Sequence, residues 1–390
     1  MTDERRDMED VEEEPRRGGR LKGFLTFFLA LAVVLLVVLL AAYRDGTGFD
    51  VLRRYLHYGG AERVGGAVRY EYDASSKNRF GVLGEGLVVL SDTSLKVMDK
   101  NGLEVWHTPV NMVSPALDCQ GGRAVAYDVG GTALYVVDQN GLLMELDGSD
   151  DEPLIAASVS EDGWLTVTKE KRGLKGCCWV YNDKMELFYE FNSSQRFLLD
   201  GYTADDVLAA VALGQEEGQF VSNVVLYSLW DDEEPIGDYD VAGGLVLSIG
   251  KQGRKLVTVS DTGLTYATAA GTLAGTYSYK GAYLREYDLG GDGFTVLLLN
   301  RYRSGSVGRL VTVDGEGGEL GSLEVRDEIL SISAAGRYVA VLYADRLVVY
   351  NQDLQTYASL HGTDYAKEVL MRPDGSALLL SAESASLFLP

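Results

Sequence analysis

Two segments of the chain carry the same pattern at a fixed separation. SLKVMDKNGLEV begins at Ser94 and ALYVVDQNGLLM begins at Ala133, an offset of 39 residues. Each places an Asn-Gly pair, Asn101-Gly102 or Asn140-Gly141, between runs in which apolar residues alternate with others. Asn-Gly in this setting predicts a tight hairpin with a type I′ turn, because both central residues of that turn need positive φ. The pattern therefore predicts antiparallel hairpins repeated along the chain.

Short apolar strands separated by Gly, Asp and Asn continue from Gly65 to the end, and they group into sets of four. The sets open near Arg79, Ser114, Leu154, Arg196, Gly244, Tyr283, Glu328 and Tyr365. This spacing, close to about 40 residues, is typical of four-stranded propeller blades. No helical pattern of 10 to 15 residues intervenes, which excludes an α/β fold. The sequence predicts an all-β propeller of about eight blades, with seven as the alternative because the set from Arg196 to Asp240 is poorly delimited.

The two ends of the repeat region complement each other. The last set supplies strands from Tyr365, Ala377 and Ser386, and the chain then ends one strand short of a full blade. The strand AVRYEYD, which begins at Ala67, precedes the first complete set. We expect it to close the last blade and to remove an exposed sheet edge, so the predicted propeller domain covers residues 67–390.

A second kind of segment precedes the strands. Gly23 to Tyr43 has no charged residue, and about 20 such residues in a helix cross a hydrocarbon layer roughly 30 Å thick. A cleaved signal peptide is the alternative, but the run is too long and lacks a small-residue cleavage pattern. The prediction is one transmembrane helix, residues 23–43, in contact with the lipid bilayer.

The flanks of this run predict its orientation. Arg16, Arg17, Arg20 and Lys22 lie immediately before it, so the polar tail, residues 1–22, is expected to be cytoplasmic and disordered. The propeller is then extracellular, displayed from the cell membrane. Residues 44–66 form a predicted stalk with a short helix over Gly48 to Tyr58, which either meets a membrane or partner or packs on the domain.

The charge balance limits the class of partner. The formal net charge is -23, from 35 Lys and Arg against 58 Asp and Glu. Phosphate backbones would be repelled by such a surface, so a nucleic-acid partner is not expected.

The stretch Asp99-x-Asn101-Gly102-x-x-x-Trp106 resembles the blade turn of quinoprotein-type and WD40-like β-propellers. In those proteins an outer-strand Trp docks between blades, and the resemblance implies the same for Trp106. The whole plan of charged tail, single span and divergent propeller resembles an uncharacterised family of membrane-anchored proteins from Gram-positive bacteria. That resemblance implies no known activity.

Residues able to carry chemistry are few and scattered. His57 lies in the stalk, His107 on an outer strand and His361 in a predicted loop, so they predict no metal site. No HExxH, GxSxG or P-loop pattern occurs. Two acidic clusters, residues 147–152 and 231–234, lack calcium-loop spacing and predict solvated loops. Asp118, Asp128 and Asp138 are predicted to begin turns.

The three cysteines predict no disulfide framework. Cys119 stands alone, while Cys177 and Cys178 are adjacent and point to opposite faces of a strand. A strained vicinal disulfide is one alternative, and small buried apolar side chains are the preferred interpretation.

Two functions therefore stay open at this point. The first is a non-catalytic propeller that binds an envelope protein or a cell-wall component, with no catalytic, cofactor-binding or metal residues assigned. The second is an extracytoplasmic enzyme, a hydrolase, lyase or quinone-dependent dehydrogenase, with its site at the channel mouth. Converging buried carboxylates would favour the enzyme, and an exposed apolar loop patch would favour the binding module.

Overall fold

The computed structural model describes residues 26–38, 50, 54–55, 58, 64–147, 152–216, 218–231, 234–241 and 243–390. The chain divides into two compact units, Met1–His57 and Tyr58–Pro390. In the first unit, residues 26–38 form a helix. Among the described residues, no helix combines the length and the apolar character needed to cross a bilayer. The predicted tail, both ends of the predicted span and most of the predicted stalk lie outside the described residues.

The second unit contains eight four-stranded antiparallel sheets, which are the predicted blades. Blade 1 consists of β2 Arg79–Leu83, β3 Gly86–Leu90, β4 Ser94–Met98 and β5 Glu104–Pro109. Blade 2 consists of β6 Pro115–Gln120, β7 Arg123–Asp128, β8 Ala133–Asp138 and β9 Gly141–Asp147. Blade 3 consists of β10 Leu154–Val159, β11 Leu165–Lys169, β12 Gly176–Tyr181 and β13 Leu187–Ser193. Blade 4 consists of β14 Phe197–Ala204, β15 Val207–Glu216, β16 Gln219–Ser228 and β17 Gly237–Asp240.

The remaining blades follow the same order. Blade 5 consists of β18 Val246–Gln252, β19 Lys255–Ser260, β20 Gly263–Thr268 and β21 Leu273–Ser278. Blade 6 consists of β22 Tyr283–Gly291, β23 Phe294–Asn300, β24 Gly308–Asp314 and β25 Glu319–Val325. Blade 7 consists of β26 Ile329–Ala335, β27 Tyr338–Tyr343, β28 Arg346–Asn351 and β29 Thr356–His361. Blade 8 joins β1 Val64–Glu71 to β32 Ser384–Phe388, β31 Ala377–Leu380 and β30 Glu368–Met371. The prediction of eight blades is confirmed.

The N-terminal strand closes the ring as predicted. Strand β1 pairs antiparallel with β32, with Arg69 opposite Ser386. The buried guanidinium of Arg372 reinforces this closure: Nη2 donates to Tyr70 Oη at 3.1 Å and to the Glu85 carbonyl at 2.9 Å, and Nη1 donates to Tyr58 Oη at 3.2 Å. These bonds connect the first residues of the unit with its last blade and with blade 1.

The innermost strands of neighbouring blades contact one another around the ring, and β30 contacts β2 to complete it. They run parallel, as the bridge between Gly291 and Gly336 shows. The turns therefore lie at two ends. We call one end the upper face: it holds the connections between blades and the turns between second and third strands. The lower face holds the turns between first and second strands and between third and fourth strands.

Packing between blades forms the core. Second strands such as β3 and β23 are buried along their whole length, because a neighbouring blade covers each side of the sheet. Outer strands such as β5 alternate between exposed and half-buried residues. Trp106 of β5 contacts Gly141 of blade 2, where an added Cβ would lie 3.0 Å from the indole ring. The docking of this Trp between blades is confirmed.

The Asn-Gly turns differ from the predicted type I′. In the first turn only Gly102 has positive φ, at 79°, and Gly102 N donates to the Asp99 carbonyl at 3.0 Å. The Asp99 carboxylate also accepts from the backbone N–H of Asn101 at 2.8 Å and of Leu103 at 2.9 Å. This is a type I turn followed by a glycine bulge, stabilised by the aspartate two residues before the Asn. The predicted I′ turn is wrong because the Asp side chain selects the longer loop.

Candidate functional site

The propeller has a central channel with a volume of about 770 Å³. The innermost strands of blades 2 to 6 form its wall, and Gly336 and Pro373 of the next two blades lie at its lower end. Its polar side chains include Asp118, Asp200 and Asp288, one from each of three strands. The channel is thus the place where the fold brings distant acidic residues together.

The channel carboxylates are hydrogen-bonded to the next blade. Asp118 Oδ2 accepts from Val159 N at 2.8 Å, and Asp288 Oδ2 accepts from Ala334 N at 2.9 Å. Each first strand is the inner edge of its sheet, so backbone N–H groups on that edge have no partner within the blade. The acidic side chain of one blade supplies the missing acceptor for the blade that follows.

Hydroxyl and glutamate side chains continue this arrangement around the ring. Glu286 Oε1 accepts from Ile332 N at 3.0 Å, and Ser333 Oγ accepts from Met371 N at 3.0 Å. Ser158 Oγ donates to the Gly201 carbonyl at 2.8 Å. The innermost polar residues therefore hold the blades to one another.

Burial in the channel raises the pKa of its carboxyl groups. The pKa of Asp118 rises to about 6 and that of Asp200 to about 7, with the hydrogen bonds from Val159 and Gly201 opposing the effect of burial. Burial likewise raises the pKa of Asp288, and it raises the pKa of Glu286 to about 7. Removal of these groups from water disfavours the ionised form. Near neutral pH, Asp118, Asp200 and Glu286 are therefore close to the middle of their titration.

The described residues include neither a metal-binding cluster nor an activated cysteine at the channel. No group of three or more His, Cys, Asp or Glu within the described ranges is arranged to hold a metal ion. Cys119 reaches the channel, but burial and the nearby Asp118 raise the pKa of its thiol well above its usual value, so it is not an activated nucleophile. Asp118 is also not the turn residue that was predicted: it lies within β6 and lines the channel.

The other predicted residues do not converge. His107 lies on β5, as predicted, with Nδ1 3.2 Å from Glu104 Oε1. His361 ends β29 and is not in a loop, because β28 pairs with it through Arg346. His57 and parts of both acidic clusters lie outside the described residues. All three cysteines are free thiols, and Cys177 and Cys178 are buried as preferred in the sequence interpretation.

The upper face differs from the channel because it carries exposed apolar side chains. The exposed large apolar residues described at this face come from the inter-blade connections, the beginnings of first strands and the turns between second and third strands. They are Val113, Val129, Phe197, Phe220, Leu245, Leu247, Tyr283, Tyr302, Val307 and Tyr365. We call these ten residues the apolar face. Exposed apolar side chains that gather at one end of a fold are candidates for an interaction surface.

Blade 4 extends this face with a hairpin. Strands β15 and β16 have ten residues each and pair along their whole length, from Val207 opposite Ser228 to Glu216 opposite Gln219. Strand β14 pairs with β15 only as far as Leu213, so the tip of the hairpin projects beyond the rest of the sheet. Phe220 at the tip is 73% exposed.

The closed ring of eight four-stranded sheets identifies the chain as an eight-bladed β-propeller. It belongs to a family of unknown function, DUF5711, which matches residues 63–275, more than half of the chain. No curated protein matches the sequence.

Several solved structures are similar to the propeller. BamB from Moraxella catarrhalis has a TM-score of 0.53 at 11% identity, covering 84% of this chain and 100% of that one. A quinohemoprotein alcohol dehydrogenase from Pseudomonas putida has a TM-score of 0.52 at 10% identity, covering 84% of this chain and 76% of that one. At these identities the similarity shows the fold alone. The resemblance to quinoprotein-type propellers is confirmed at that level, while the resemblance to membrane-anchored proteins of Gram-positive bacteria stays a prediction.

Proposed function

We propose that this chain is a single-pass membrane protein whose propeller, outside the cytoplasm, binds another protein through the apolar face. The apolar face is the single observation that carries the proposal. Ten large apolar side chains share this end of the ring. Water contact with so much apolar surface is unfavourable, and a partner that covers it gains roughly 25 cal/mol per Å² of apolar area buried.

The channel brings together carboxylates whose pKa values are raised by burial, which is the feature expected of an enzyme, but their hydrogen bonds indicate a structural role. An enzyme built on Asp118 or Asp288 would need a carboxylate oxygen available to a substrate. In both residues the carboxylate accepts a backbone N–H from the next blade. The raised pKa values follow from burial at that structural position, and an enzyme in the channel is accordingly the less well supported function.

The membrane part of the proposal rests on the sequence. Gly23 to Tyr43 has the length and composition of a span, and Arg16, Arg17, Arg20 and Lys22 precede it. The charge of -23 does not favour nucleic acid as the partner.

The test is site-specific photo-crosslinking of the full chain in its native membranes. A photoreactive amino acid replaces Leu245 on the apolar face, and in the control it replaces Leu142 on the outer strand β9. The two positions are similarly exposed, at 46% and 42%. We expect a protein adduct from position 245 and none from position 142. Absence of an adduct at 245, or equal adducts at both positions, contradicts the proposed binding face.

A further inference from the structure

Blade 6 carries a basic and aromatic segment on the upper face. The turn between β23 and β24 reads Arg301-Tyr302-Arg303-Ser304-Gly305-Ser306-Val307. Arg301, Tyr302 and Arg303 are exposed, and Ser306 Oγ donates to the Arg326 carbonyl at 3.2 Å. This bond fixes the turn beside the connection to blade 7.

A surface cavity of about 660 Å³ opens next to this turn. Arg285, Arg303 and Tyr283 line it, together with Ser306 and Glu328. Arg285 Nη2 donates to the Ile329 carbonyl at 2.8 Å, which anchors its guanidinium at the cavity. The cavity thus combines two guanidinium groups, an aromatic ring and one carboxylate.

We call Arg285, Arg301, Arg303 and Arg326 the arginine patch. None of them forms an ion pair with a described carboxylate, although the chain has 58 acidic residues against 35 basic ones. Arginines nearby behave differently. Arg309 pairs with Glu319 at 2.8 Å and Arg346 pairs with Asp327 at 2.6 Å. The four arginines therefore make no ion pair within the described residues, although Glu328 lies in the same cavity and Arg285 interacts electrostatically with the adjacent Glu286.

The chemistry of these groups selects an anionic ligand. A guanidinium presents parallel N–H donors that match a carboxylate in a bidentate pair. Tyr283 and Tyr302, both exposed, supply flat apolar surface beside the charge. Glu328 in the same cavity repels a densely charged polyanion, and the net charge of -23 adds to that repulsion. A peptide segment with acidic and apolar side chains suits all of these groups. Its carboxylates match the guanidinium groups, its apolar side chains match the tyrosine rings, and its backbone N–H groups match Glu328.

We propose that the arginine patch binds a short acidic peptide segment of the partner protein, with apolar side chains of that segment resting on Tyr283 and Tyr302. This inference rests on the proposed function and specifies the partner chemistry at one part of the same face. Carboxylates of the segment pair with the guanidinium groups, and backbone N–H groups pair with Glu328.

The test places the photoreactive amino acid at Tyr302 of the full chain in native membranes, and mass spectrometry maps the crosslinked peptide. The variant is Arg301→Gln with Arg303→Gln. The control, Arg172→Gln with Arg254→Gln, removes the same charge from exposed arginines elsewhere on the propeller. We expect an adduct on a segment rich in Asp and Glu. We also expect the variant to reduce that adduct at least tenfold, because the loss of one charge-assisted contact of ordinary strength corresponds to about a factor of ten and the variant removes two guanidinium groups, while the control retains the adduct.

A competition experiment distinguishes recognition of carboxylates from nonspecific adsorption. A peptide that alternates Glu with Leu, added to the membranes, is expected to suppress the adduct at position 302, whereas the same peptide with Gln in place of each Glu leaves it unchanged. An adduct with a lipid, a phosphate polymer, or a neutral or basic segment overturns the inference, and so does an adduct that the Arg301 and Arg303 variant leaves intact. In those cases an adduct at Leu245 still upholds the proposed function. No protein adduct at either position overturns both.

Discussion

Replacing Glu368 by Gln is expected to stabilise the propeller at alkaline pH. Glu368 begins β30, the innermost strand of blade 8, and is half-buried, and its carboxylate makes no hydrogen bond with the described residues. Burial raises the pKa of Glu368 to about 7 from 4.5, with the charge of Arg79 opposing the change. The folded chain therefore holds this proton more tightly than the unfolded chain. Stability from this group is present below about pH 4.5 and is lost as pH rises through about 7.

The size of the effect follows from the same pKa. The difference from the ordinary value corresponds to about 3 kcal/mol at pH 8 as an upper limit. Water reaches a half-buried carboxylate, so we expect Glu368→Gln to raise the free energy of unfolding by roughly 1 to 2 kcal/mol at pH 8. Near pH 4.5 the folded wild type is already protonated, and the gain should largely vanish.

Denaturant unfolding of the full chain, followed by tryptophan fluorescence, measures the change in the free energy of unfolding at pH 8 and near pH 4.5. Glu383→Gln is the matched control, because Glu383 lies exposed in the next upper turn of the same blade, and it should change stability by less than about 0.5 kcal/mol. A destabilised Glu368→Gln variant at pH 8, or an equal gain at both pH values, refutes the argument that burial of a charge governs this position.

Three further predictions concern ring closure and the thiols. Arg372→Met removes three hydrogen bonds at a buried position and should lower the free energy of unfolding by about 3 kcal/mol or more, measured by the same denaturant titration. Gly102→Ala should cost more than about 2 kcal/mol, because the new Cβ would lie 2.3 Å from the Arg69 carbonyl of β1. Gly122→Ala, with similar positive φ and open space around it, should cost only about 1 kcal/mol, and equal losses would contradict the steric argument. Burial raises the pKa of Cys177 to about 11 and that of Cys178 to about 12, so iodoacetamide at pH 8 should label them only after unfolding, as mass spectrometry would show.

The strand order could be predicted because its signals are local. Alternating apolar residues and Gly, Asp or Asn turns lie within a few positions of each other, and the predicted blade openings near Arg79, Leu154 and Tyr283 coincide with the starts of β2, β10 and β22. The type of the Asn-Gly turn was wrong even though it is local. Its deciding contact is the Asp99 side chain, which the dipeptide rule does not consider.

The channel could not be assembled from these local signals. Asp118 and Val159 are separated by 41 residues, and Asp288 and Ala334 by 46. Their contact depends on the angle between successive blades, which no short pattern encodes. One usable signal was nevertheless present: the fourth residue of β6, β14 and β22 is acidic in each case, namely Asp118, Asp200 and Glu286. An acid at this fixed position within a first strand indicates a side chain on the inner edge of a blade more specifically than it indicates a turn, and Asp118 and Asp200 line the channel.

The arginines at the upper face are better explained by binding of a partner than by a contribution to solubility. Acidic residues outnumber basic ones and already keep the chain far from neutrality, and added acidic residues serve solubility better than arginines do. Four arginines without a described ion-pair partner therefore serve solubility less well than acidic residues would, and they lie beside exposed tyrosines. A partner that brings carboxylates to the arginines and apolar groups to the tyrosine rings would stabilise both kinds of side chain. In an ordinary solvated loop the arginines would stay without ion-pair partners and the tyrosine rings would stay exposed to water.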